Sequence, residues 1–283
     1  MNILLTGGSG FIGKYLVPRL LNQGHNVFLV IRNPNNLKFF DTNNKLHFIV
    51  SDLSDFDKVF NIPGILYDVL IHLAWDKVRD CNSSIHLKKN FPHSKNFVLQ
   101  AIKHGIKHLI ISGTCLEYGM REGELSEHFE SNPINNYAIS KNMLREYIEK
   151  LKITNNFIFQ WVRIFYVYGE GQDKDTILGQ LDHAIDKGDE VFNMSIGNQL
   201  RDYLPVEVVA DNLCLLLNNP DIEGIVNCCS GNPISILDLV KKRCCEKKSN
   251  IALNPGFFDI PKYEPLNFWG VATKIDLLRK SLS

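Results

Sequence analysis

The sequence has no surplus of either charge. Lysine plus arginine and aspartate plus glutamate both number 31, for a formal net charge of zero. Such a balance offers no long-range attraction to nucleic acid or to an anionic membrane, so neither is expected as a partner. No apolar run approaches the roughly 18 residues of a membrane helix. The first residues, Met1-Asn2-Ile3-Leu4-Leu5, lack the basic leader of a secretory signal. The seven cysteines include no Cys-x-x-Cys, and four of them fall in the adjacent pairs Cys228-Cys229 and Cys244-Cys245. That spacing suits neither a disulfide framework nor a zinc site. Free thiols, no metal and a cytoplasmic location are therefore expected. Repeats and low-complexity tracts are also lacking. What remains is an ordinary composition, 45% apolar and 22% charged over 283 residues. It is enough for one large domain, or for one domain with a smaller lobe.

Asn2 to Thr6 is a short apolar run, as in the first strand of a buried parallel sheet. It leads into Thr6-Gly7-Gly8-Ser9-Gly10-Phe11-Ile12-Gly13, and helical apolar spacing follows from Phe11 to Asn22. Strand, glycine turn and helix in this order point to a dinucleotide. Gly7 closes the turn, Gly10 admits backbone close to a pyrophosphate, and Gly13 lets helix pack on strand. The free N–H groups of the helix start face the phosphates. Pro18 predicts a bend or local break in that helix.

The second strand, Asn26 to Ile31, ends without the carboxylate that would hold the adenosine ribose of NAD. Arg32 stands there instead, either to grip a 2′-phosphate with its fork or as a solvated loop residue. After a third strand, Leu46 to Val50, Asp52 either accepts from the adenine amino group or caps a helix over Ser54 to Phe60. The fourth strand, Val69 to Leu73, ends in His72-Leu73-Ala74-Trp75. His72 reads as a packing residue, Ala74 as a small residue beside the cofactor, and Trp75 as a wall of the substrate mouth. A helix over 84–104 carries Asn90 and Asn96 and is interrupted by Pro92. A fifth strand (107–111) leads to Ser112-Gly113-Thr114-Cys115-Leu116-Glu117-Tyr118-Gly119, a helix opens at Pro133, and a sixth strand spans 157–164. Beyond it come a loop over 166–175, helices over 177–187, 208–217 and 235–246, and strands over 191–194 and 225–229. The asparagine-rich stretch 33–44 reads as surface loop.

Tyr137 and Lys141 stand four residues apart on the helix that follows Pro133, hence on one face. Tyr-x-x-x-Lys alone is common. After a glycine turn and the hydroxyl of Thr114, it is the third part of a nicotinamide-dependent ketone or alcohol site. The bland alternatives are a surface tyrosine, a solvated lysine and a turn-closing threonine.

On these motifs the chain resembles the extended short-chain dehydrogenase/reductase family, in its nucleotide-sugar branch. The resemblance also draws on Asn90 to Asn96, Arg163 with Tyr168-Gly169, and Arg201 to Val206, and it covers nearly the whole length. It implies an α/β fold: a Rossmann doubly wound parallel sheet over 1–165, with 202–228 threading back into it. A smaller C-terminal substrate-binding lobe would be built from 166–201 and 229–283. It implies Thr114, Tyr137 and Lys141 as the catalytic residues. The cofactor would lie on Gly7, Ser9, Gly10, Phe11, Ile12 and Gly13, on Arg32, and on Asp52 and Leu53. Leu73, Ala74, Trp75, Asn90, Ser112, Tyr137, Lys141 and Phe165 complete that site. The nucleotide sugar would meet Trp75, Thr114, Glu117, Tyr118, Tyr166 and Arg201. Arg201 would clamp the diphosphate, unless it is spent on an ion pair with Asp202. Homodimers are expected, pairing the helices near 84–104 and 133–154 in a four-helix bundle.

The resemblance also narrows the reaction. Dehydratases of the family resemble Thr-Asp-Glu at the catalytic hydroxyl, whereas Cys115 and Leu116 follow Thr114 here. Glu117 falls one residue late, which in an extended segment turns it to the other face. Ring-proton epimerases resemble Ser-x-Cys with a partner histidine. Here the cysteine is one residue early, the region of Asp175-Thr176 has no histidine, and Cys115 reads as a buried filler. The segment is similar to those of 4-ketoreductases of deoxysugar pathways. The expectation is NADPH-dependent reduction (NADH being possible) of an NDP-4-keto-6-deoxyhexose to a product such as dTDP-fucose. An NAD-dependent C4-epimerase is the second reading, and a non-catalytic NADP-sensing scaffold the third.

Overall fold

The computed structural model describes residues 1–40, 43–260 and 265–280. Its centre is a seven-stranded, all-parallel sheet. The strands are β1 (Asn2–Thr6), β2 (Asn26–Ile31), β3 (Leu46–Val50), β4 (Val69–His72), β5 (His108–Thr114), β7 (Ile158–Ile164) and β11 (Gly224–Cys228), ordered β11-β7-β5-β4-β1-β2-β3. Adjacent side chains of a strand point to opposite faces, and both faces are covered. Ile3, Leu5, Val27 and Leu29 meet Leu16, Val17 and Leu20 of α1 (Phe11–Asn22), together with Val209 and Leu213 of α6 (Val206–Asn218). Leu4, Phe28 and Leu70 meet Phe97 and Ala101 of α3 (Phe91–Lys103) and Leu144 and Ile148 of α4 (Asn136–Thr154). The expected doubly wound sheet is thus present. Its order reverses beside β1, which opens a crevice at the strand ends.

The remaining elements form a smaller layer. β8 (Tyr166–Tyr168), β10 (Leu200–Pro205) and β12 (Pro233–Ser235) make one sheet, and β9 (Val191–Ser195) pairs with β13 (Ala252–Phe258). α5 (Ile177–Lys187) and α7 (Ile236–Lys247) bury Leu181, Phe192, Met194 and Val240 between them. β6 (Gly123–Leu125) pairs with β14 (Phe268–Gly270) beneath the Thr114 segment.

Several boundaries differ from the sequence reading for local reasons. The helix expected over 54–60 is only α2 (Asp57–Phe60), because Asp52 Oδ1 accepts from Ser54 N (3.0 Å) and Oγ (2.8 Å) and holds a turn there. The helix over 84–104 is a π-turn, His86–Asn90, running into α3, so Pro92 sits in a first turn that demands no N–H of it. α4 begins at Asn136, not Pro133, because Asn135 Oδ1 caps Ala138 N at 2.9 Å. α1 runs through Pro18 without interruption. Part of the loop expected over 166–175 is β8. The stretch 33–44 holds a 3-10 turn, Pro34–Phe39, while 41–42 lie outside the described residues. Finally, α8 (Thr273–Lys280) does not join the lobe assigned to 229–283: Ile275 and Leu278 enter the main core beside α6 and β11. Among the described residues no helix is long and apolar enough to cross a membrane.

Candidate active site

The crevice holds two adjoining cavities, of about 900 Å³ and about 270 Å³, which share Gly7, Gly10, Leu73 and Trp75. Gly7 has φ +75°, and a Cβ there would lie 2.6 Å from Ala74 N, so β1 and β4 can approach only with glycine at this turn. At Gly10 an added Cβ would meet nothing within 4 Å but Gly7 O. α1 begins at Phe11, and its N-cap residue, Gly10, brings no side-chain cap; its first turn holds no acidic residue. Among the described residues no side chain caps its first N–H groups, which lie beside the cavity with the positive end of the helix dipole behind them. Bare backbone and uncapped donors fit the pyrophosphate of a dinucleotide.

Every residue expected on the cofactor lines one of these cavities. The larger takes Phe11, Ile12, Gly13, Ser112, Tyr137, Lys141 and Phe165. The smaller takes Ser9, Arg32, Asp52, Leu53, Ala74 and Asn90. Arg32 is not free there: Nη1 and Nη2 donate to the two oxygens of Asp76, each at 2.6 Å.

Thr114 ends β5, and Tyr137 and Lys141 share the inner face of α4. All three are buried, and Thr114 stands close enough to the Tyr137 phenol to favour its anion slightly. The Lys141 ammonium donates to Ser112 O (2.7 Å) and Oγ (3.2 Å) and lies 4.0 Å from the centre of the Trp75 ring. Burial, reinforced by the Glu117 carboxylate, pushes the Tyr137 phenol above its ordinary value. Burial lowers Lys141 to about 7, with Glu117 opposing. His72 is pushed down to about 3 by burial and then by Lys141. It sits neutral between Thr6 Oγ1 (2.7 Å) and Ser94 Oγ (3.0 Å), a packing residue.

Of the residues expected on the sugar, Trp75, Thr114, Tyr166 and Arg201 line the larger cavity. Glu117 and Tyr118 do not, which corrects the reading. Residues Cys115–Tyr118 form a 3-10 turn rather than an extended segment, and it carries both side chains inward. Glu117 is fully buried: Oε1 accepts the Thr114 N–H at 2.8 Å, and Oε2 accepts Trp161 Nε1 and Arg163 Nε, each at 2.9 Å. The Tyr118 hydroxyl donates to Asn227 Oδ1 at 2.7 Å, with the Arg163 guanidinium over its ring. Arg201 does not spend itself on Asp202. Its Nη1 donates to Leu200 O and Leu266 O, while Asp202 accepts from the Ser230 and Gly231 N–H groups.

Some lining residues escaped the sequence reading. The 78–82 loop crosses the cavity mouth and pins α4: Cys81 O accepts from Tyr137 N at 2.8 Å, and Asn82 O from Asn136 Nδ2 at 2.7 Å. His86 lies behind Tyr137, with ring centres 5.3 Å apart. Its Nδ1 accepts from Trp75 Nε1 at 3.0 Å, which fixes the indole between the two cavities. His86 precedes Asn90 by four residues, so a shared helical face was its one available signal.

A crevice at the strand ends, a glycine turn at its floor and a buried Thr/Tyr/Lys set define a short-chain dehydrogenase/reductase of the extended kind. The chain belongs to the NAD dependent epimerase/dehydratase family, whose model matches residues 3–229. It is 29% identical over 275 residues to a dTDP-6-deoxy-L-talose 4-dehydrogenase (NAD(+)) of Aggregatibacter actinomycetemcomitans, covering 95% of this chain and 99% of that one. An ADP-L-glycero-D-manno-heptose-6-epimerase of Brachyspira hyodysenteriae is 28% identical over 260 residues, 84% of this chain and 79% of its own. The fold matches a UDP-N-acetylglucosamine 4-epimerase from Methanobrevibacter ruminantium at a TM-score of 0.86 and 22% identity, over 98% and 91% of the two chains.

Two predictions follow from the buried charges. Lys141 binds its proton less tightly in the folded chain (about 7) than in the unfolded one (10.5). Between those values the unfolded state holds more protons at this site, so Lys141's contribution to stability should rise with pH across that window, while the thiols of Cys214, Cys228 and Cys229, pushed up by burial, contribute the opposite slope. Urea unfolding midpoints of wild type and Lys141→Met will check this, the variant lacking the rise. Glu117→Ala strands the Arg163 charge and should cost about 3–5 kcal/mol, part of which Glu117→Ala/Arg163→Met recovers. Denaturant unfolding of the cycle measures both.

Proposed function

We propose that the chain is a nucleotide-sugar oxidoreductase that reduces the C4 ketone of a nucleotide-activated 4-keto-6-deoxyhexose. The observation that carries this reading is the buried Thr114–Tyr137–Lys141 set combined with the inward turn of Glu117. The set serves one-carbon redox chemistry. Glu117 is spent on Arg163 and Trp161, in the segment where the dehydratase pattern has its extra acid and base. The relative named as a 4-dehydrogenase of a dTDP-6-deoxysugar, aligned over almost both full lengths, supports the same carbon and substrate class.

The chain's own groups divide the work. Burial keeps the Tyr137 phenol protonated at neutral pH, so it can give its proton to the oxygen that becomes the C4 hydroxyl. Thr114, its N–H clamped by Glu117, offers its hydroxyl to the same oxygen. Lys141 orients the nicotinamide ribose. A nicotinamide held there would supply the hydride. Arg201 and the small lobe receive the nucleoside diphosphate, and pairing of copies through the α3 and α4 helices belongs to the same reading. The expectation of NADPH depended on a free Arg32. With its fork on Asp76, either NADH or NADPH is taken as reductant, and the choice rests on that pair.

A second reading, an NAD-dependent C4-epimerase, is favoured by the 4-epimerases among the similar proteins. Purified protein separates the two. The reductase oxidises added NADH or NADPH stoichiometrically with one of a panel of dTDP-, CDP-, GDP- and UDP-4-keto-6-deoxy sugars. An epimerase carries its dinucleotide and consumes none. Loss of the proton donor in Tyr137→Phe should lower kcat by at least about 100-fold with dinucleotide affinity unchanged. Retention of a tenth of the wild-type rate removes Tyr137 from that role.

A further inference from the structure

Arg32 follows β2 and Asp76 lies just beyond β4, the two strands that flank β1. Their side chains meet over the smaller cavity, which both line. The contact is a two-point fork-on-fork pair, Nη1 to Oδ2 and Nη2 to Oδ1 at 2.6 Å each, with Lys89 Nζ 3.6 Å from the same carboxylate. Asn90 Nδ2 donates to the backbone carbonyl of Asp76 at 2.9 Å and anchors the carboxylate from behind. The pair thus belongs to the cavity wall.

A guanidinium standing alone at this point would reward a dianionic 2′-phosphate and would be left unpaired by a hydroxyl. Filled by a carboxylate, its fork is already satisfied. A phosphate must then displace Asp76 and stand beside a like charge, whereas a ribose hydroxyl can donate to an Asp76 oxygen with the ion pair intact. The acceptor that was missing from the end of β2 is supplied across the sheet from the end of β4. We propose that Asp76 is the residue that sets cofactor choice, turning a groove with an arginine at its ribose end into one that prefers NADH. This rests on the reading of the groove as a dinucleotide site.

Calorimetric titration of the purified protein with NADH and NADPH tests it without turnover. Wild type should bind NADH more tightly. Asp76→Asn, and Asp76→Ser as a second variant should the first fail to fold, should shift the affinity ratio toward NADPH by about tenfold or more. Asp76→Glu should keep the wild-type preference. Tighter wild-type binding of NADPH, or a ratio that the neutral variants leave within about twofold, overturns the inference while the groove reading stands. A protein that binds neither dinucleotide overturns both.

Discussion

The buried ion pair of Glu117 and Arg163 is the constraint on which the site depends. Both side chains are fully enclosed, and taking two charges out of water costs several kcal/mol each unless every lone pair and proton finds a partner. Glu117 meets that demand with Arg163, Trp161 and the Thr114 N–H; Arg163 adds Ser131 Oγ and the Tyr118 ring, and its Nη1 alone is left without a hydrogen-bond partner among the described residues. The chain is thereby held at Thr114, where β5 stops and the 3-10 turn starts. The hydroxyl that faces the cavity and the carboxylate behind it belong to one capping box. Rigidity at Thr114 comes from this hidden side of the turn.

The same carboxylate acts at longer range on the two ionisable groups of α4. Burial pushes Tyr137 toward the neutral phenol and Lys141 toward the neutral amine, and Glu117 strengthens the first tendency while opposing the second. A negative charge behind the site thus favours a protonated phenol beside a cation. Trp75 adds to this, its ring face 4.0 Å from the ammonium and its N–H held by His86.

Much of this was legible in the sequence because it is local. The glycine turn, the end of β5 and the Tyr137/Lys141 pair are each encoded within a few residues, and helix or strand period converts their spacing into geometry. The alternating strands were equally plain. What could not be read was set by partners far along the chain. Asp76 reaches Arg32 across 44 residues and Glu117 reaches Arg163 across 46. Treating the 114–118 segment as extended turned Glu117 to the far face of a strand and placed its side chain on the sugar, whereas it is buried beneath the turn. Only the 3-10 turn, and the arginine waiting beneath it, show where the carboxylate goes. The return of α8 to the main core was likewise a matter of tertiary packing, which a short amphipathic segment does not announce.

Both arginine–carboxylate pairs can be weighed by where they stand. Arg163–Glu117 has no access to solvent, so its partners are fixed by desolvation and it can serve only as structure. Arg32–Asp76 is half exposed, with 55% and 25% of the two side chains accessible, and lies along a cavity. There solvent screens the attraction and either partner can be exchanged at modest cost. A pair of that kind adds little to stability. The same chemistry, a guanidinium forked on a carboxylate, therefore serves as a fixed beam beneath Thr114 and as an exchangeable contact at the far end of the groove.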